Sequence, residues 1–485
     1  MSMQLNELAY GDIHVGALLP LIILVATLLI NIILPVVIKA THVGKISFLM
    51  TLLGLTATLL QTKPPTQAVM TIWPHLLQQT HWIAIIQLLS VAITLLIVVV
   101  MYAEHNLHPA RLNLSFIFML VLLMGAYLLP ACQHWLMVYT SVTFMSIATT
   151  MLMYIHTGHK RGILASQKYL LYSSTIASGF MLFGISYVYG YSGSLDIVQG
   201  LIASAKAVVG PAIVPQVSVL FALLGLLMLL GSFPYQFWIA DIYTALPCSL
   251  VAYLSTITKV AVVGFLVNVG YTIYVIEGST EILMFRNLLA IIAVVTMAIG
   301  HMAAFTTQHI GKLLAYGGIA QTGALLALVV TDLSSYSHII YYLIVYTLMN
   351  ITSWLSLDAL YKNINGFHLS DYEGVGKRFP IVSLCITVAI LALIGLPPTS
   401  GFIAKFVLWN KLCESIQQAP SVCIPILWLT SVLGTMISLY YYLRIPYTLF
   451  NKLPKQARTL PVGRFSFVHC ILIVLTCLLI GLVVV

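Results

Sequence analysis

Apolar stretches of about 20 residues recur from one end of this chain to the other, and that recurrence restricts its fold more than any motif does. About 20 helical residues match a hydrocarbon layer of about 30 Å. Fourteen candidate spans lie near 15–38, 44–61, 81–102, 112–130, 133–156, 166–190, 213–236, 248–274, 284–305, 312–331, 338–361, 380–411, 421–448 and 466–485. Lipid offers no partner to backbone N–H and C=O groups, so each span is expected as a helix. Of 485 residues, 61% are hydrophobic and 7% charged, against roughly a quarter charged in soluble domains. The expectation is an all-α membrane protein forming one continuous bundle. Residues 1–16 carry neither a basic n-region nor a small-residue cleavage site, so the first span reads as retained.

The net charge of +9 is a matter of topology. Thirteen basic residues fall in loops after odd-numbered spans: Lys39, Lys45, Arg111, Lys160, Arg161, Lys312, Lys362, Lys377, Arg378, Lys452, Lys455, Arg458 and Arg464. Four fall after even-numbered spans: Lys63, Lys206, Arg286 and Lys411. The positive-inside bias assigns odd loops to the cytoplasm and both termini to the opposite side. Nucleic acid is not needed to explain this basic excess. The seven cysteines contain no C-x-x-C pair, so packing is favoured over zinc or an iron–sulfur cluster. No G-x-G-x-x-G follows a strand and no P-loop is present, so no bound nucleotide or metal is expected in this chain.

Four basic residues remain within or at the edge of spans: Lys168, Lys259, Lys405 and Arg444. Arg444, near a helix end, can snorkel to the interface. A lysine at mid-membrane costs about 2.5–3.5 kcal/mol on insertion scales. A cost of that size leaves the charge responsive to its neighbours. Lys259 sits in "LSTITKVAVVGFL", which contains no acid; it reads either as a proton carrier or as a cation fixed by a carbonyl or water.

Two apolar segments are interrupted in similar ways. "LLGSFPYQFWIADIY" breaks at Pro234, and "LIGLPPTSGFIAKFVLW" breaks at Pro397 and Pro398, with Gly401 following. Proline removes a donor and displaces a carbonyl, which lipid tolerates only where the irregular backbone is buried or lines a hydrated cavity. Corresponding breaks 163 residues apart, from Pro234 to Pro397, suggest two internal repeats with a polar path at mid-membrane. Lys259 follows the first break and Lys405 the second.

These residues resemble a known family. "FPYQFWIADIYTALPCSLVAYLSTITK" is similar to the P-F-H-x-W-x-P-D-V-Y-x-G-A-P-x-P-V…K signature of the antiporter-like membrane subunits of respiratory complex I, and ends on the same lysine. "GKLLAYGGIAQTGALL" resembles that family's K-R-L-L-x-Y-S-S-I-S-H-x-G-Y segment, and "ASQKYLLYSS" its A-S-I-K-Y stretch. The lysine in "GFIAKF" and the end of the chain after span fourteen favour the N-type pattern. The resemblance implies two inverted five-helix repeats, 112–274 and 284–448, flanked by three helices in 1–111 and by a cytoplasmic loop and helix 14 in 449–485. It also implies a proton relay in which Lys259 is the central lysine, Lys405 the terminal one and Lys168 the lysine opening the sixth span.

The same alignment shows departures. Thr143 stands where the family's glutamate of the fifth span is expected, and Leu229 where the first broken helix carries a lysine. Neither side chain titrates near neutral pH. Gln236 and Gln321 occupy histidine positions, and His301 stands where N-type members commonly have asparagine. His301 could titrate, although a core hydrogen bond is the simpler reading. Asp241 matches the family aspartate and is expected to cap the following helix. The tyrosines Tyr440 to Tyr442 are expected to pack or hydrogen-bond, and the polar stretch 363–380 to form a cytoplasmic loop.

By resemblance, the chain is expected to serve as a proton-translocating membrane-arm subunit of a hetero-oligomeric NADH:quinone oxidoreductase in a bacterial inner membrane. It would hold no redox cofactor, while NADH or another reductant, quinone and iron–sulfur clusters would belong to the parent complex. Two alternatives stand beside this: a largely structural subunit with a degenerate first half-channel, and a subunit of a multi-subunit cation/proton antiporter.

Overall fold

Helix is the form almost every apolar stretch takes. The computed structural model describes residues 15–65, 69–73, 75–104, 108–156, 160–170, 176–206, 213–277, 279–331, 336–364, 366–418, 422–451 and 467–483. The first helices are α1 (Val15–Val37), α2 (Ala40–Gln61), α3 (His81–Glu104), α4 (Pro109–Leu128), α5 (Trp135–His156) and α6 (Lys160–Leu170). They continue with α7 (Ser178–Ser192), α8 (Ile197–Lys206), α9 (Ile213–Leu230), α10 (Phe237–Tyr243), α11 (Cys248–Glu277) and α12 (Ser279–Thr306). The last are α13 (Ile310–Thr331), α14 (Ser337–Ile364), α15 (Pro380–Ile394), α16 (Ser400–Gln418), α17 (Cys423–Phe450) and α18 (Phe467–Gly481).

Among the described residues ten helices are long and apolar enough to cross a membrane, or eleven if Leu369–Lys377 and Pro380–Ile394, bent by 119°, count as one span. The chain is a multi-pass integral membrane protein. Four of the fourteen expected spans are not among these ten. The sixth expected span includes 171–175, which lie outside the described residues. The twelfth expected span is cut between α15 and α16. Lys452, Lys455, Arg458 and Arg464, and residues 1–14, lie outside the described residues.

One segment departs from the all-α expectation. Residues 69–80 form an antiparallel hairpin, β1 (Val69–Trp73) with β2 (Leu77–Thr80), Val69 facing Thr80. Val69, Thr71, Ile72 and Trp73 favour an extended chain, and the segment is too short to span. Its glutamines are drawn inward. Gln78 donates to Asn268 Oδ1 (2.8 Å), whose amide donates to the Pro130 carbonyl (3.0 Å). Gln79 donates to Gln87 Oε1 (2.7 Å), and Gln87 to the Tyr127 carbonyl (3.0 Å).

The chain divides into two compact units, Met1–Leu230 with Ile257–Phe285, and Gly231–Thr256 with Arg286–Val485. Within the first, Ser47 donates to Asn31 Oδ1 (2.6 Å) and Asn113 to the Asn31 carbonyl (3.3 Å), which ties α2 and α4 to α1. Small residues let the helices approach: Gly125 of α4 faces the Ser141 carbonyl and Met145 of α5. Within the second, α13 is almost wholly buried and packs against α10, α14, α16 and α17. Gly323 of α13 faces Ala293 and Met297 of α12.

Candidate functional site

In the second unit the site is built by the end of α15. Gly395 adopts a left-handed backbone (φ 83°), and Pro397 and Pro398 cannot continue the helix. A helix end leaves its last carbonyls without intrahelical partners. Two of them are taken locally: Gly395 N–H donates to the Leu391 and Ala392 carbonyls, and Leu396 N–H to Leu391 (each 3.0 Å). The next two are taken by side chains. Gln321 Nε2 donates to the Leu393 carbonyl (3.0 Å), and Lys405 Nζ to the Ile394 carbonyl (2.7 Å). Lys405, 7% exposed, enters from α16. Gly401 lies against the Ala392 carbonyl, and Gly395 leaves room for the Lys405 stem. The negative end of the α15 dipole and a charge-assisted hydrogen bond thus hold an ammonium group in a buried place.

A band of polar side chains surrounds this end. Tyr342 donates to Gln321 Oε1 (2.8 Å), so the glutamine at a family histidine position is bonded at both ends of its amide. Tyr346 donates to the Ser255 carbonyl (3.3 Å) and Asn350 to the Ser255 hydroxyl (2.5 Å). His301 Nδ1 lies 3.1 Å from Tyr441 Oη, and Tyr441 and Tyr442 pack with ring centroids 4.5 Å apart. Tyr342, Tyr346 and Asn350 recur every four residues on α14, a one-face pattern that the sequence displays and motif reading passed over. Nothing in the sequence alone could have joined Tyr441 to His301, 140 residues apart.

Arg444 donates to the carbonyls of Ala304 (3.3 Å), Phe305 (3.3 Å) and Thr307 (3.1 Å), closing the end of α12. Asp241 lies inside α10 instead of capping α11, and its carboxylate is 3.8 Å from Lys312 Nζ at the exposed surface. His309, just before α13, is held below the ordinary imidazole range by partial burial, with the charges of Lys312 and His368 acting the same way.

In the first unit Lys259 is 3% exposed on α11, whose residues 248–270 are all buried. Lys168 is exposed on α6, while the adjacent Tyr169 is buried and hydrogen-bonds to Ser146 and Thr149 of α5. Thr143 is half-buried and donates to the Thr140 carbonyl (2.8 Å), so its hydroxyl serves its own helix. Leu229 is buried near the end of α9, and Pro234 lies in the gap before α10. Among the described residues no three His, Cys, Asp or Glu side chains come together in a group fit for a metal ion.

A family model described as NADH:quinone oxidoreductase/Mrp antiporter, TM, matches residues 132–437. The chain is 31% identical over 365 residues to NADH-quinone oxidoreductase subunit N 2 of Chloroherpeton thalassium, covering 72% of this chain and 67% of that one. It is 29% identical over 385 residues to NADH-quinone oxidoreductase subunit N of Anaeromyxobacter sp., covering 76% and 74%. It shares its fold with a chain of respiratory complex I from Thermus thermophilus with bound aureothin (TM-score 0.76, 22% identity, 96% of each chain). A chain of the Mrp complex from Dietzia sp. has the same fold (TM-score 0.72, 18% identity, 97% and 95%). With more than half its length matched, the chain belongs to the NADH:quinone oxidoreductase/Mrp antiporter transmembrane family.

Proposed function

We propose that this chain is the N-type membrane-arm subunit of a proton-translocating quinone oxidoreductase, moving protons through buried lysines without touching reductant or quinone. The observation that carries this reading is Lys405 held on the Ile394 carbonyl at a broken helix end. A buried ammonium held by a carbonyl rather than a carboxylate can lose and regain its proton without separating an ion pair. Lys259, buried on α11, is the central carrier of the proposal, and Lys168 the carrier at the exposed face of α6. The finer topology belongs to the same proposal: fourteen spans, two inverted repeats at 112–274 and 284–448, both termini outside the cytoplasm, and a bacterial inner membrane. Partner chains supply the reductant site, the quinone site and the iron–sulfur clusters.

In the assembled complex reconstituted in vesicles, Lys259→Met and Lys405→Met are each expected to lower the number of protons translocated per electron. An unchanged ratio in both variants would overturn the reading. A second reading, a scaffold whose first half-channel has decayed, is favoured by one observation: Leu229 and Thr143 give the first unit no titrating side chain at either family position.

A further inference from the structure

His301 is the residue that the lysine relay does not use and that the fold nevertheless accommodates in detail. It lies five residues before the end of α12, is 8% exposed, and its imidazole occupies the space that Gly434 of α17 leaves open. Any side chain at position 434 would collide with the ring. Its Nδ1 meets the Tyr441 hydroxyl at 3.1 Å. The end of α12 beside it is the one that the charge bias assigns to the cytoplasm, and Arg444 closes that end on three carbonyls.

From His301 a line of hydroxyls leads inward through the same unit. The Tyr441 ring packs on Tyr442, and the Tyr442 hydroxyl fills the space beside Gly317 of α13. Tyr442 lies within electrostatic reach of Tyr342. Tyr342 donates to Gln321, whose amide takes the Leu393 carbonyl, neighbour of the Ile394 carbonyl that holds Lys405. The groups acting on His301 from the packed helices are Tyr441 of α17 and Lys405 of α16. α13 meets α12 at Gly300 with Ala320, which carries no charge.

We propose that His301 is a further proton-carrying residue of this chain, taking up a proton near the cytoplasmic end of α12 and passing it to Lys405 by way of the Tyr441, Tyr442 and Tyr342 hydroxyls. Each hydroxyl accepts one proton on an oxygen lone pair and releases its own, and water carries the hops into and out of Tyr442 as well as the last hop. The imidazolium ends neutral and the lysine amine ends as ammonium, so one positive charge moves and no electron does. The charge of Lys405 acts on His301, so a proton delivered to the lysine opposes immediate reloading of the imidazole. The second unit would then load Lys405 without any contribution from Thr143 or Leu229.

The inference rests on the proton-translocating reading and is tested beside it, in the assembled complex reconstituted in vesicles. His301→Asn keeps a hydrogen-bonding side chain but cannot titrate, and Tyr441→Phe keeps the ring but removes the hydroxyl. Both are expected to lower the protons translocated per electron, and His301→Asn combined with Lys405→Met is expected to lose no more than Lys405→Met alone. Infrared difference spectra of the unaltered complex with ring-labelled histidine should show a histidine changing protonation during turnover, and that band should vanish in His301→Asn. A full ratio in His301→Asn and Tyr441→Phe, with a lowered one in Lys405→Met, would overturn this inference and leave the proposed function standing. A full ratio in Lys405→Met and Lys259→Met as well would remove both. If His301→Asn does not assemble, the absence of any histidine band in the unaltered complex is sufficient to overturn the inference.

Discussion

Lys405 and Gly395 depend on each other. The glycine's φ of 83° is in the region where a side chain is strained, and a Cβ there would press on the lysine's Cδ. Gly395→Ala is therefore expected to cost about 1–2 kcal/mol from backbone strain alone and to displace the ammonium. A lower melting temperature of the purified complex, together with fewer protons per electron, would register both effects. His309 offers a pH test at the same scale. Its folded form disfavours the proton, so below about pH 6.5 the unfolded chain binds that proton first and stability falls as pH falls. His309→Asn is expected to flatten this limb in melting curves taken across that range. The buried lysines were legible in the sequence because a lone cation among apolar residues is conspicuous. Tyr342 was not, nor were the partners of Tyr441 and Gln321, since a tyrosine on an apolar helix reads as packing until its hydroxyl's partner is known.

Among the elements, the breaks were legible and their consequences were not. Prolines announce where α9 and α15 stop, but which carbonyls are left over depends on Gly395 closing two of the four within α15. The remaining two define the task of α13, whose Gln321 joins Tyr342 to the Leu393 carbonyl. Gln321→Leu would leave that buried carbonyl and the Tyr342 hydroxyl without this partner, at about 1–3 kcal/mol for each such group. Gln321→His, which returns the family residue, is expected to recover much of the loss. Thermal stability of the two variants measured side by side would decide it. The hairpin at 69–80 escaped the sequence reading because its apolar residues suited a helix period as well as a strand at so short a length.

At the scale of the whole molecule, hydropathy conveyed the class, a multi-pass helical membrane protein. Helix length in lipid follows the bilayer, but α15 ends at the Gly395–Pro398 break, which a window of 20 residues smooths over. The contrast between the units is chemical. In the first, Lys259 is buried while Leu229 and Thr143 leave both family positions without charge; in the second, Lys405 has a built carbonyl site. Returning the pair with Thr143→Glu and Leu229→Lys is expected to raise protons per electron without changing the yield of assembled complex, if the first unit is a decayed channel. No gain would mean that the unit conducts, or stays closed, for reasons outside those two positions.

The Ile394 carbonyl that grips Lys405 sets how the site can be tuned. An ion pair is switched by pulling two charges apart, which is abrupt and expensive in a dry interior. A dipole attracts a cation in proportion to its aim, so its hold varies with angle. A tilt of the last turn of α15 by a few degrees would weaken or strengthen the grip smoothly, with no bond broken outright. In the proposed relay Lys405, on α16, would thereby respond to motion of α15, the break acting as a dial between mechanical displacement and proton affinity.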